Sequence, residues 1–411
     1  MRALFSGVTG IRSHQVRMDV IGNNIANVNT TGFKGSRVTF QDVFSQTLSA
    51  GSARTSPQQI GLGVGVGSTD LFTGAGSFQL TGRELDLAVE GNGMFIQKNS
   101  DGSIVYTRAG NFDWDPQGYL VNPGTGSRVQ GWMANNATGA IGTTDRGSLT
   151  DIKINRGSVA LAQKTSKAEL TGNLNAGAAV GDEYTTTLTA YDSLGRAQSL
   201  TITFEKTASN GWTYTVAGAP PDLTVPSGST GPITFNTDGT LLTPATGTLA
   251  LTMDATDAES GQAITLDISN ITQAFAGTSD SDVLVRSADG ASMGVLESVS
   301  IDASGLAIGV FSNGVRRNLA QIGLANFTNP GGLLKTGASS FSESSSSGTP
   351  FVGIPSSGGR GRLVPGNLEM SNVDLSTEFT NMIMTQRGFQ ANTRIISSAD
   401  EMLQDLVNLR R

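Results

Sequence analysis

The sequence predicts a multidomain protein in which the two chain ends form an α-helical, coiled-coil-like terminal domain and the material between them forms two mainly antiparallel β domains. Three observations predict this fold class: an apolar repeat of seven residues at each end, short alternating segments separated by turns in the middle, and a glycine-rich chain with few charges. Chain ends normally fray. Regular patterning at both ends therefore indicates that they contact each other or the ends of neighbouring molecules.

The amino-terminal helix carries a narrow apolar stripe. Its members recur every seven residues or fill positions between: Leu4, Val8, Ile11, Met18, Ile21 and Ile25. A repeat of this period marks a surface that packs against another helix and supercoils to the left. The asparagines and glycine after Ile21 are poor helix formers, so we expect the helix to end near Ala26.

The carboxy-terminal helix carries the same pattern. Asp374 is a good N-cap, with Glu378 in the first turn. The apolar stripe that follows consists of Phe379, Met382, Phe389, Ile396, Leu403, Leu406 and Val407. We call the two stripes together the heptad seam and predict that it is the assembly interface. The alternative, two amphipathic helices on the core of a monomer, would call for a broader apolar face on each helix.

The middle of the chain reads as β structure. Short alternating segments run from residue 64 to 132, from 170 to 285 and from 294 to 327, with turns such as Asp115–Gly118 and Asp192–Gly195 between them. The Ser/Gly-rich residues 339–362 are expected to form a surface loop. We expect four parts, listed here with their boundaries: a helical axial domain (1–26 and 372–411), a connector (27–71 and 364–371), an inner β domain (72–165 and 288–363) and an outer β domain inserted into it (166–287).

Composition excludes several functions. A net charge of -7 argues against nucleic-acid binding, which needs basic surfaces. No apolar run approaches the roughly 18 residues that cross a bilayer, so we expect no membrane insertion. The chain has no cysteine and one histidine, His14, which lies within the helical repeat and on no strand-to-helix elbow. We therefore expect no catalytic residues, no cofactor and no metal.

Two motifs imitate ligand sites. Gly61–Gly67 resembles a phosphate-binding loop, but no strand precedes it and no Lys-Ser/Thr follows, so an extended segment is the better interpretation. Asp113–Gly118 opens like a calcium loop, but Gly124 occupies the twelfth position, where a bidentate Glu is required. A hairpin turn is the better interpretation of that segment.

Four longer stretches are more specific: Ile21–Lys34, Tyr106–Phe112, Gly366–Ser376 and Gln386–Asn392. They resemble the signatures of the bacterial flagellar rod and hook axial proteins, and the resemblance covers essentially the whole chain. Its terminal motif residues, as numbered here, are Asn23, Asn24, Asn27, Asn29, Thr30, Gly32, Phe33, Asn372, Asp374, Leu375, Gln386 and Arg387.

Within that family, the middle of the chain distinguishes hook proteins from rod proteins. Leu188–Gly195 leading to Thr201–Phe204 resembles the outer domain of hook proteins. The resemblance implies a non-enzymatic subunit that polymerises with itself into the tubular hook, a flexible coupling that transmits torque from the rod to the filament. It implies rod proteins, hook–filament junction proteins, a hook cap and the flagellar export apparatus as partners, and an extracellular location reached without a cleaved signal peptide.

Two alternatives stay open. A distal rod-type axial protein is one, because Leu48–Gln59 is similar to a linker insert of that protein. A secreted β-rich adhesin is the other, because composition alone would fit it. The repeats at both ends favour the axial protein, since an adhesin has no need of them.

Overall fold

A computed structural model describes residues 2–49, 58–135, 139–142, 144–155, 157–218, 223–277 and 280–408. The described chain is mostly β, in several sheets, with one α-helix near each end. It divides into two compact units. Unit 1 comprises residues 1–155, 299–308 and 318–411, and unit 2 comprises residues 156–298 and 309–317.

The helices are α1 (Arg2–Ala26) and α2 (Leu375–Asn408). The expected end of α1 at Ala26 is confirmed, and the Asn27 side chain donates to the carbonyl of Asn23 just beyond it. The predicted N-cap of α2 is also confirmed, because Asp374 Oδ1 accepts from the backbone N–H groups of Ser376 (2.8 Å) and Thr377 (3.2 Å).

The strands follow in chain order. Before residue 156 they are β1 (Ser36–Asp42), β2 (Ser45–Ser49), β3 (Gln58–Gly61), β4 (Val64–Leu71), β5 (Phe78–Leu80), β6 (Leu87–Glu90), β7 (Met94–Lys98), β8 (Ile104–Thr107), β9 (Asp113–Trp114), β10 (Leu120–Val121), β11 (Arg128–Met133) and β12 (Thr150–Asp151). From there to residue 288 they are β13 (Val159–Ala160), β14 (Lys167–Asn173), β15 (Glu183–Tyr191), β16 (Ala197–Ala208), β17 (Gly211–Gly218), β18 (Leu223–Ser227), β19 (Thr230–Phe235), β20 (Leu241–Thr243), β21 (Thr248–Ala255), β22 (Gln262–Thr272) and β23 (Asp282–Ala288). The last are β24 (Gly294–Ile301), β25 (Leu306–Phe311), β26 (Arg316–Ile322), β27 (Leu324–Asn326), β28 (Leu334–Gly337), β29 (Ser340–Ser342), β30 (Phe351–Gly353), β31 (Arg362–Pro365) and β32 (Asn367–Glu369).

Unit 1 combines the helices with a sheet in which β26, β11, β7, β8, β29 and β28 are neighbours in that order. Its core includes edge-on aromatic pairs, Phe95 with Phe112 (5.0 Å between centroids) and Tyr106 with Phe327 (4.8 Å). Between α1 and this sheet the chain makes a long hairpin from β1, β2, β3 and β4. The extended interpretation of residues 61–67 is therefore confirmed.

Unit 2 holds two five-stranded sheets, ordered β18-β21-β22-β14-β23 and β15-β16-β17-β19-β20. Apolar side chains from both sheets form one core, which includes Leu170, Phe204, Trp212 and Leu266. The predicted turn at Asp192–Gly195 is confirmed: Gly195 N–H donates to the Asp192 carbonyl and Gly195 has a φ of 81°.

Most strand pairs described in unit 2 are antiparallel, as expected. The pairing of β14 with β22 is parallel, because a distant return of the chain, and not a tight hairpin, brings them together. One local expectation is wrong. Residues 339–362 are not simply a surface loop, since they contain β29 and β30 and the side chain of Ser347 is fully buried. Ser347 Oγ donates to the carbonyl of Ser344, so local hydrogen bonds allow a serine-rich segment to be buried.

A buried ionic cluster joins three distant segments of unit 1. Glu369 Oε1 contacts Lys34 Nζ at 2.5 Å, and Glu369 Oε2 accepts from the Arg108 guanidinium at 3.1 Å. Lys34 also donates to the Gly74 carbonyl, and Arg108 to that of Val89. Burial lowers the pKa of Lys34, while the Glu369 carboxylate acts in the opposite direction. These extra acceptors matter because buried charges are tolerated only when they are paired and hydrogen-bonded.

We predict that Glu369→Gln destabilises unit 1 by about 3–5 kcal/mol, since it leaves two buried cations without their carboxylate. Urea unfolding followed by circular dichroism would measure this. Glu343→Gln, in the exposed pair with Arg146, is the matched control and should have little effect. Equal midpoints for the two variants would show that the cluster contributes no net stability.

Candidate assembly interface

The two helices pack against each other through glycines and polar side chains. A Cβ added at Gly10 would lie 2.7 Å from Asn392 Oδ1, and one at Gly388 would lie 2.6 Å from the His14 ring. A Cβ at Gly7 would lie 3.1 Å from Ile396 Cγ1. The inner face of the helix pair, defined by these six residues, therefore depends on missing side chains that let the helices approach closely.

Polar contacts extend this face toward the connector. The side-chain amide of Asn24 donates to Glu378 Oε1 on α2 (3.3 Å) and to the carbonyl of Ser36 (2.8 Å), and its oxygen accepts from the Ser36 N–H. Burial raises the pKa of Glu378. Asn24 thus fixes α1, α2 and the start of β1 relative to one another.

The heptad seam is divided between different environments. Ile21 is buried, and half-buried positions are Leu4, Ile11, Met18, Ile25, Met382, Phe389 and Ile396. Val8, Phe379 and Leu403 are exposed. The side chains of Leu406 and Val407 lie outside the described residues. Ile396 packs against Gly7 across the helix pair, whereas Val8, Phe379 and Leu403 are exposed. Only part of the heptad seam therefore joins α1 to α2.

Both helices expose large apolar side chains. Nine of these exposed residues, here called the outer face, are Phe5, Val8, Val16, Phe379, Ile383, Met384, Ile395, Met402 and Leu403. Phe5 is 70% exposed and Met402 is 61% exposed. Six of the nine, like the three inner-face glycines, were missed by the heptad analysis. Two signals could have found them: apolar residues directly beside heptad positions, and helix-interior glycines, which cost about 1 kcal/mol each unless packing requires them.

Terminal motif residues that are buried or half-buried hold neighbouring backbone segments in place. Asn372 Oδ1 accepts from the Gly35 N–H, and its amide donates to the carbonyls of Phe72 and Gly74. Gly32 has a φ of 66°, and a Cβ there would lie 2.4 Å from the backbone of Ala109. Only glycine fits that position.

The remaining motif residues lie at the end of α1 or on the surface. Thr30 Oγ1 donates to Asn27 Oδ1, whose amide donates to Asn23, and Phe33 is buried beneath the Lys335 ammonium. The exposed members are Asn23, Asn29, Asp374, Leu375, Gln386 and Arg387. The structure brings the two terminal motifs together at Glu369, whose carbonyl accepts from the Gly32 N–H and whose carboxylate contacts Lys34, and it leaves Gln386 and Arg387 on the surface of α2.

Across the part of the chain that the structure describes, no three acidic or histidine side chains converge on a metal position. Neither of the described helices is long and apolar enough to cross a bilayer.

We predict that Gly388→Ala loosens the helix pair, because its methyl group would overlap the His14 ring. Gly22→Ala on α1 is the matched control, since a Cβ there meets nothing within 4 Å, and it should stabilise the helix by about 0.5–1 kcal/mol. Hydrogen exchange of α1 and α2 would measure both. Faster exchange in the control than in Gly388→Ala would contradict close packing at Gly388.

Models of four protein families match the chain. Residues 6–34 match the flagella basal body rod protein, and 364–409 the C-terminal region of the flagellar basal body rod FlgEFG proteins. Residues 88–165 match the D1 domain of flagellar hook protein FlgE/F/G, and 161–291 the D2 domain of flagellar basal body protein FlaE.

Full-length relatives agree. The chain is 39% identical to the flagellar hook protein FlgE of Borreliella burgdorferi and 38% identical to that of Treponema pallidum, with complete coverage of each pair. It is 32% identical to the flagellar basal-body rod protein FlgG of Bacillus subtilis, again over both full lengths.

A solved structure shares the fold. The flagellar hook protein FlgE2 of Helicobacter pylori has a TM-score of 0.53 at 16% identity, covering 71% of this chain and all of that one. Since the D1, D2 and both terminal family models match and full-length hook proteins are up to 39% identical, the chain belongs to the flagellar hook protein family, a family of structural proteins and not of enzymes.

Proposed function

We propose that the chain is a subunit that self-assembles into the tubular hook of the bacterial flagellum and acts there as a flexible coupling that transmits torque. The observation that carries this proposal is the outer face of the two helices. Large apolar side chains such as Phe5, Ile383 and Met402 are exposed in the single chain, whereas its small and polar residues are buried between the helices. Such a surface marks an interaction site.

A single type of contact, repeated from one subunit to the next, is sufficient to form a tube. A head-to-tail contact that does not close generates a helical polymer. In our proposal the outer face and the exposed part of the heptad seam contact helices of neighbouring subunits, with coiled-coil packing between chains. Each subunit then covers apolar residues that its own fold leaves exposed.

The four-part domain assignment remains part of this proposal. Support for an outer domain comes from the D2 match at residues 161–291 and from the separate core of unit 2. We propose that the outer domains make polar, easily broken contacts, because rim-type polar contacts contribute little each. The helices would then maintain the continuity of the tube while the subunits move.

Partners and location follow from the same assignment. We propose that the polymer lies outside the cell, that its ends meet rod and hook–filament junction proteins and a hook cap, and that the export apparatus delivers the chain without a cleaved signal peptide. A rod-type subunit is the second candidate, supported by the full-length similarity to the rod protein of Bacillus subtilis. The D2 match favours the hook.

Negative-stain electron microscopy of the concentrated protein tests self-assembly directly. Tubes of constant diameter are expected. Straight, stiff tubes would favour the rod-type candidate, and single particles at every concentration would contradict the proposal.

We predict that Ile383→Asp abolishes tubes while the β structure stays folded. Ile383 is 53% exposed in the single chain, so the charge is tolerated there, but burying it between subunits would cost several kcal/mol per contact. Sedimentation measures the polymer and circular dichroism the fold. Gln390→Glu, also on the surface of α2, is the control and should still assemble. Normal tubes formed by Ile383→Asp would exclude this face from the interface.

We further predict that deleting residues 166–287 leaves tubes with altered curvature or stiffness. The Ser166 N–H and the Lys167 N–H both donate to Asp289 Oδ1, so the two ends of the deletion lie close together and a short linker can join them. Electron microscopy would compare both tubes. Unchanged curved tubes would show that the outer domain has no part in bending, and loss of assembly with a folded remainder would show that it is required for the tube.

A further inference from the structure

The single histidine of the chain lies on the inner face of the helix pair. His14 belongs to α1, and its ring occupies the space left by the missing side chain of Gly388 on α2. The ring also packs edge-on against Phe40 of β1, with 5.4 Å between centroids and 89° between planes. His14 therefore contacts both α2 and β1.

The surroundings of the ring suit its neutral form. His14 Nδ1 is buried and has no hydrogen-bond partner among the described residues. The Arg17 guanidinium lies over the same Phe40 ring, 5.8 Å from its centroid. A second positive charge on His14 would thus be added beside an arginine, without an acceptor at Nδ1.

The charged residues on the elements around the ring do not offset this. Among the described side chains they are Arg12, Arg17 and Asp19 on α1; Glu378, Arg387, Arg394, Asp400, Glu401 and Asp405 on α2; and Arg37, Asp42 and Asp70 on β1 and β4. Asp70 is paired with Arg37, and Glu378 accepts from Asn24. Burial, and secondly the charge of Arg17, lower the pKa of His14 below its ordinary value of 6.5.

We propose that His14 makes the pairing of α1 and α2, and through it the polymer, sensitive to mild acid. The ring fits between Gly388 and Phe40 when neutral, and protonation puts an unpaired cation into that contact. The statement about the helix pair stands on its own, while the statement about the polymer rests on the proposed function.

The direction of the pH effect on helix pairing follows from the difference between the pKa values of His14 in the paired and separated states. Because the pKa of His14 is lower in the paired state than in the separated state, both states are neutral above pH 6.5 and pairing is unaffected there. Below pH 6.5 the separated state takes up a proton first, so pairing weakens as the pH falls, until the ring of the paired state is protonated as well. The loss is at most about tenfold in the pairing constant per pH unit in that interval.

The test compares wild-type protein with His14→Gln, which stays neutral at every pH. Polymer and soluble fractions are separated by sedimentation between pH 7.5 and 5.0. The critical concentration of the wild type should rise up to about tenfold per pH unit below 6.5, while that of His14→Gln should change much less. Carboxylates such as Glu378 are present in both proteins, so their titration cancels. Parallel profiles for the two proteins would overturn the proposal.

A second measurement decides the case if His14→Gln fails to assemble. Since the chain has one histidine, ¹⁵N-histidine labelling gives one ring signal, in the polymer by solid-state NMR or in the soluble chain by solution NMR. A ring pKa below 6.5, with loss of α-helical circular dichroism on protonation, supports the proposal. A ring pKa of 6.5 or above, or unchanged helicity, overturns it. Failure of the wild type to polymerise at pH 7.5 would instead contradict the proposed function and leave the helix-pair measurement valid.

Discussion

The carboxylate of Glu369 is the interaction on which the arrangement of unit 1 depends. It lies just before α2 and accepts from Lys34, which follows α1, and from Arg108, which directly follows β8. A buried carboxylate without these partners would be strongly destabilising. The segments next to both helices must therefore meet on the β sheet, and that meeting places α1 beside α2.

Next to this cluster, two asparagines form hydrogen bonds that orient neighbouring backbone segments. Asn24 forms two hydrogen bonds with the backbone of Ser36, and Asn372 binds the backbone at Gly35, Phe72 and Gly74. Side-chain amides suit this task because each offers donors and an acceptor at once. Asn24, which is buried, and Asn372, which is half-buried, thus hold the backbone at residues 35–36 and 72–74 in place.

The distribution of residue types on the helix pair is the reverse of that in a monomeric helical bundle, whose large apolar side chains lie inside. Glycines and polar groups lie inside, and residues such as Phe5 and Met402 lie outside. Packing that includes few large apolar side chains, among them Ile21 and Ile396, gives limited hydrophobic stabilisation within the chain. The exposed apolar area is available for contacts with other subunits in the proposed polymer. A single histidine between the two helices can then influence their pairing.

The sequence by itself determined the features that local chemistry controls: the end of α1 at Ala26, the cap at Asp374, the turn at Asp192–Gly195 and the extended glycine-rich segment. Only the tertiary structure decided which helix face is covered within the chain, that β14 and β22 run parallel, and that Lys34, Arg108 and Glu369 meet. The reason is physical. Caps, turns and periodicity depend on residues a few positions apart, whereas an apolar period shows that a face will be buried but not which partner, from this chain or another, will cover it.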